Sequence, residues 1–208
     1  MNGNPYIKNF IYTYFWQTVA LVLHFLSFVI VVPFISENKE IFGIYSVCIS
    51  ISIFLNYADL GFIKTAQKYG SESFIKNDLN VEKELYGFAS FVLLIFALVF
   101  SGFLFYVAVE PGVIIKGIYS NEEHQVASNL LFIQAFFTLN IVLQKYLDCI
   151  FLARIEQYIL QRYKILGNAL KIGSVFYFFG DNSYSVINYF LFTKVIDVVI
   201  NLIGMSIV

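Results

Sequence analysis

The feature that most constrains this chain is a series of long windows without charge. Between Lys8 and Glu37 no Asp, Glu, Lys or Arg occurs, and His24 is the one imidazole. Glu40 to Asp59, Glu84 to Glu110 and Gln125 to Gln144 are equally free of charge. A helix that crosses a bilayer needs about 20 mostly apolar residues, so these windows predict helices over 9–35, 41–63, 85–109 and 126–150. Two further apolar segments are interrupted by charge: 157–179 by Lys164 and Lys171, and 184–208 by Lys194 and Asp197. The sequence therefore predicts an all-α integral membrane protein, a single bundle of six transmembrane helices spanning 1–208.

Other classes fall away on composition and pattern. With 59% hydrophobic and 13% charged residues, the chain is far from a soluble domain, which carries about 25% charged residues. Its net charge of -1 leaves no basic field for a phosphate backbone, so no nucleic-acid partner is expected. A membrane β-barrel shows alternating segments of about ten residues, whereas these apolar runs are continuous. Helices satisfy their backbone polar groups within one segment, which lipid requires. The first apolar stretch exceeds the 7–15 residues of a signal-peptide core by about twofold and is expected to stay as an anchor. Cys48 and Cys149 each stand alone in an apolar run, without disulfide or zinc spacing.

Orientation follows from the basic residues. A six-span reading gathers Lys8, Lys64, Lys68, Lys76, Lys83, Arg154, Arg162 and Lys164 on one side, against Lys39 and Lys116 on the other. Cytoplasmic loops carry the excess of Lys and Arg, so the N-terminus is expected in the cytoplasm. The segment Gly70–Glu84 mixes apolar and charged residues, as either a surface helix or a solvated loop would. The last span runs to Val208 without a polar flank, and the expectation is a C-terminal truncation of something longer.

Function is sought in the polar stripes. Residues three and four apart share a helix face. Such stripes are Thr13, Gln17, Ala20, His24 and Ser27 in the first span, and Ser52, Asn56 and Asp59 in the second. The fourth has Gln134, Thr138, Ile141, Lys145 and Asp148; the fifth Lys164, Asn168 and Lys171; the sixth Lys194, Asp197, Asn201 and Gly204. The third span differs: Gly87, Ser90, Ala97 and Ser101 form a row of small residues suited to close helix packing. A charge at mid-bilayer costs about 2.5–3.5 kcal/mol on insertion scales, so the stripes are expected to face one another around a polar cavity. The competing reading is interhelical hydrogen bonding with snorkelling at the ends, which suits Lys145 and Lys164. Lys145 with Asp148, and Lys194 with Asp197, have the i,i+3 spacing of local pairs. Lys171 lacks an acid one turn away on its own helix and is the leading candidate for an anionic ligand. His24 is read as a proton switch or as a hydrogen-bonded interior residue. No nucleophile elbow, zinc-protease, P-loop or dinucleotide motif occurs. No catalytic residue, metal ligand or cofactor is expected, and the chain is not read as an enzyme.

The run EIFGIYSVCISISIFLNYADLGFIKTAQKYGSE resembles the N-terminal region of Wzx-like bacterial polysaccharide flippases, the O-antigen and repeat-unit transporters of the multidrug/oligosaccharidyl-lipid/polysaccharide superfamily. The likeness rests on the Gly43–Tyr45 entry into the second helix, on Asp59-Leu60-Gly61-Phe62 at its end, and on the charged loop Gly70–Glu84. The segment FLARIEQYILQRYKILGNALKI also follows the family pattern. The resemblance implies one six-helix lobe of a two-lobe transporter in the bacterial cytoplasmic membrane. Its substrate would be a lipid-linked (undecaprenyl-pyrophosphate) oligosaccharide, moved by alternating access for O-antigen, capsule or exopolysaccharide synthesis. Its partners would be membrane lipids and a second lobe or second chain. Lys171 and Lys194 would line the lumen, with Lys145, Asp148 and Asp197 as further candidates, and Asp59 and Gly61 would serve as structural or gating positions. A departure from the family is that Arg154 and Arg162 both sit at one loop. The alternatives are a cation-coupled drug antiporter of the same superfamily, and a non-transporting subunit or enzyme of envelope polysaccharide assembly.

Overall fold

A computed structural model describes residues 5–57, 61–118, 120–180 and 184–208. Every element among them is helical: α1 Pro5–Ile35, α2 Lys39–Tyr57, α3 Phe62–Ile75, α4 Leu79–Val109, a 3₁₀ turn Pro111–Val113, α5 Asn121–Ala153, α6 Gln157–Phe178 and α7 Val186–Ile207. Four of them, α1, α4, α5 and α7, are long and apolar enough to cross a membrane. The surface agrees with that setting. Phe28, Phe88, Val99, Phe136 and Tyr177 are all exposed, whereas Gln134, Thr138, Asn201 and Glu82 are buried. An apolar exterior with polar side chains turned inward is the pattern of a chain surrounded by lipid. The protein is a membrane-embedded, multi-pass helical chain.

The helix starts are written in the sequence. Asn38 Oδ1 accepts from the backbone N–H groups of Glu40 and Ile41 at the head of α2. Asp78 accepts from Val81 N–H at the head of α4, and Ser120 from Glu123 N–H at the head of α5. Each cap satisfies donors that an isolated helix end leaves orphaned.

Two expected boundaries change. The span expected over 41–63 is not one helix: α2 ends at Tyr57, and α3 begins at Phe62 after Gly61 in a left-handed conformation, φ 84°. The segment Gly70–Glu84 is not one element. Its first part belongs to α3, and α4 already starts at Leu79. α3 instead lies along α4 and α5, burying Ile63, Ala66, Gly70 and Ser73. Gly70 is required there because a Cβ would strike the Tyr86 ring.

α4 and α5 pair antiparallel along their length. Ser128 Oγ donates to Ala108 O at 2.7 Å, and Ser101 Oγ to Ala135 O at 2.8 Å. Nearer the other end, Tyr86, Ala89 and Leu93 pack with Cys149 and Ile150. The buried row Ala89, Leu93, Ala97, Ser101, Leu104 and Ala108 includes two residues of the expected small-residue stripe, Ala97 and Ser101. Gly87 of that stripe is exposed. The main core gathers α1, α2, α4, α5, α6 and α7 at one end, around Ile35, Ile44, Leu104, Leu131, Val175 and Phe190. Two smaller clusters, one of α3, α4 and α5 and one of α5 and α6, lie at the other, lysine-rich end.

Candidate functional site

A polar layer separates these apolar clusters on the side formed by α5, α6 and α7. The sequence pattern sets it up: Asn140, Gln144 and Asp148 recur every fourth residue of α5, and Lys164, Asn168 and Lys171 share a face of α6. On α7, Asp197 and Asn201 are one turn apart. These faces meet. Lys164 Nζ lies 2.6 Å from Asp148 Oδ1, joining α6 to α5. Lys171 Nζ lies 2.5 Å from Asp197 Oδ1, joining α6 to α7. Asn201 Nδ2 donates to Asn140 Oδ1 at 3.0 Å, joining α7 to α5. Lys164 and Lys171 are seven residues apart, so the two ion pairs stand about 10 Å apart along α6.

A cavity of about 180 Å³ lies in this layer, lined by Gln144, Lys164, Asn168, Asp197, Ile200 and Asn201. It has room for several waters. The helices approach closely below it because α6 carries Gly167, where a Cβ would collide with the Ile200 side chain. The Asp197 side chain is 41% exposed and Lys171 18%, so the carboxylate is the more open partner. The layer thus holds two lysines and two aspartates in cross-helix pairs, with amide side chains between them.

Several expectations change at this site. Among the described residues the ion pairs run between helices: Asp148 holds Lys164 and Asp197 holds Lys171. Cross-helix pairing is favourable because the partner on the neighbouring helix points straight into the same low-dielectric layer. Lys164 is accordingly an interior ion-pair member and not a snorkelling end residue. Lys171, lacking an acid on its own helix, finds one on α7. Lys194 points away from the cavity toward α2. Its Nζ lies 3.5 Å from Ser52 Oγ and 5.0 Å from the centre of the Phe190 ring.

Among the described residues of the first two stripes, none lines the cavity. Gln17 Nε2 on α1 donates to Gln157 Oε1 at the start of α6, at 2.8 Å. His24 is exposed on α1, which corrects its reading as an interior hydrogen-bonded residue. Asp59 lies outside the described residues, as does the Asn56 side chain. Gly61 supplies the left-handed turn into α3. Sequence reasoning missed Asn140, whose signal was its four-residue spacing from Gln144. It also missed Glu82, which is fully buried and held by Arg154 Nη2 at 3.2 Å.

What the site can do follows from these groups. Paired lysines and aspartates with amides between them can exchange partners with a charged, hydrated ligand inside an otherwise apolar bundle. The described residues include no cluster of His, Cys, Asp or Glu that could hold a metal ion. No family model, curated protein or solved structure matches the chain.

Proposed function

We propose that this chain forms a six-helix transporter lobe that moves an anionic, lipid-linked oligosaccharide across the bacterial cytoplasmic membrane, with its N-terminus in the cytoplasm. The observation that carries this reading is the polar, ion-paired cavity among α5, α6 and α7. A pyrophosphate-sugar headgroup is charged and hydrated, and it needs a polar path across hydrocarbon. The described contacts of α2 and α6 support six crossings. α2 starts beside the end of α1, and its 19 residues reach about 28 Å, close to a bilayer core. α6 runs from the turn after α5 to the opposite end, where Phe176 meets Phe34. Lys64, Lys68, Lys76, Lys83 and Arg154 gather at the end where α3 lies, which supports the proposed orientation. A second lobe or a second chain completes the two-sided path, and alternating access requires it.

The test is export of surface polysaccharide in cells expressing the full protein. Lys164→Ala and Lys171→Ala are each expected to lower export by about tenfold, the size of one lost charge-assisted contact, with membrane abundance unchanged. Normal export by both variants sinks the reading. A second reading, a cation-coupled antiporter, draws on the greater exposure of Asp197. It predicts that Asp197→Asn raises accumulation of a cationic dye, whereas the flippase reading predicts no change in dye level.

A further inference from the structure

The end of the bundle opposite α3 holds a second, chemically different pocket of about 320 Å³, formed where α2, α5 and α7 begin. We propose that it binds a neutral pyranose sugar. Its polar groups are Glu122 and Gln125 from the first turns of α5, and Ser185 and Asn188 from the start of α7. Ile41 and Val126, both buried, supply apolar wall.

The hydrogen-bonding state of these groups is what favours a sugar. Neither Glu122 nor Gln125 has a side-chain hydrogen bond among the described residues, so both keep their full capacity for a ligand. Asn188 Nδ2 donates to Ser185 Oγ at 2.8 Å, which leaves Asn188 Oδ1 as an open acceptor. Tyr184, also lining the pocket, is fixed by donation from its Oη to Ile35 O at 2.5 Å, so its ring is a rigid wall. The set therefore offers acceptors and donors from two sides beside an apolar surface. A pyranose presents alternating hydroxyls, each both donor and acceptor, around an apolar C–H face. An anion would meet the Glu122 carboxylate and no lining cation. An organic cation would use the carboxylate but not the amide donors.

The volume lies at the lower end of small-molecule sites, about 300–1,000 Å³, and suits one or two rings. The two pockets thus divide by chemistry: lysines in the α5–α6–α7 layer, hydroxyl-matching groups here. This deepens the transport reading by naming a glycan station at the far end of the path, and it rests on that reading only for the identity of the molecule that carries the sugar.

The test is saturation-transfer NMR on the full chain in lipid nanodiscs, with methyl β-D-glucopyranoside and N-acetylglucosamine as probes. Transfer to the ring protons of at least one probe is expected. In a Gln125→Leu, Asn188→Leu double variant it should fall about tenfold, as expected for losing one to two hydrogen bonds. Glu122→Gln keeps the shape and gives an intermediate loss, which guards against misfolding in the double variant. Lys171→Ala should leave the signal unchanged. The proposal is overturned if the wild type gives no transfer above empty nanodiscs, or if the double variant retains the full signal. A wild type that exports polysaccharide but binds neither probe removes this site and leaves the transport reading standing. Sugar binding together with normal export by the lysine variants does the reverse.

Discussion

α5 has two very different neighbours. Along α4 it meets a continuous seam of small and apolar residues, closed by two serine hydroxyls that reach across to backbone carbonyls. Toward α6 and α7 it meets lysines, aspartates and asparagines with a cavity among them. The seam sets how closely two helices approach, and between Ala89 and Ala108 it holds no ion pair among the described residues. The layer on the other face holds charges whose partners lie on different helices, so any movement of α6 or α7 must break and remake them. One helix thus carries both a rigid strut and a responsive wall, and the difference lies in which residues recur every fourth position.

The first way to break this comparison is to overfill the seam. Ala135 is fully buried at the contact with Ser101. Ala135→Leu should destabilise the chain by about 2–3 kcal/mol, because packed cores resist extra methylenes. Thermal unfolding in detergent or nanodiscs checks it. An unchanged midpoint would show that the seam is loose and the contrast with the cavity side unfounded.

A smaller effect of opposite sign is expected where α5 turns into α6. Ile155 occupies a left-handed conformation, φ 58°, and Glu156 N–H closes the turn onto Phe151 O at 2.8 Å. This is a helix-ending position that glycine normally takes, and a β-branched residue there is strained. Ile155→Gly should raise stability by about 1 kcal/mol, read from the same unfolding curves. A loss of stability would mean that the Ile155 side chain contributes more in packing than the backbone strain costs.

The cavity side should be energetically softer. A double-mutant cycle on Lys164 and Asp148 should give a coupling of about 0.6 kcal/mol, typical of polar pairs inside membranes. The double variant should nonetheless lose transport. A coupling of several kcal/mol with transport intact would make the pair a structural bolt and remove the distinction drawn here.

A pH-dependent effect concerns Tyr184, which tethers the approach to α7 to the end of α1. Burial raises its phenol above the ordinary value of 10.0. The folded state therefore favours the neutral form. The contribution is full below about pH 10 and is lost as the pH rises toward the raised value. Tyr184→Phe should flatten the alkaline end of the stability profile and cost about 1 kcal/mol at neutral pH.

Much of the fold was legible because long charge-free runs permit little except membrane helices. The windows before Glu37 and between Glu84 and Glu110 led directly to α1 and α4. The break between α2 and α3 was not legible from hydropathy, since Gly61 and its neighbours leave the run apolar enough to read as one span. The site was legible as stripes but not as pairings. Periodicity places Lys171 and Asp197 on the faces of their own helices, but it does not say which helices are neighbours. The local spacings of Lys145 with Asp148 and Lys194 with Asp197 therefore gave no sign of the cross-helix partners Lys164 and Lys171. His24 was misplaced for the same reason: its stripe is real, but α6 meets that face of α1 through Gln17 and Phe34 and leaves His24 uncovered.

The most direct measurement of the central claim is the chemistry of a thiol placed in the cavity. Asn168→Cys, in a background where the buried Cys48 and Cys149 are replaced by alanine, is treated in intact membranes with two methanethiosulfonate reagents. One carries a sulfonate and the other a trimethylammonium group. A hydrated cavity whose lysines exchange their aspartates for an anionic ligand predicts that both react and that the sulfonate reacts faster, by attraction to the lysines. No reaction with either reagent, or faster reaction with the cation, would contradict the account.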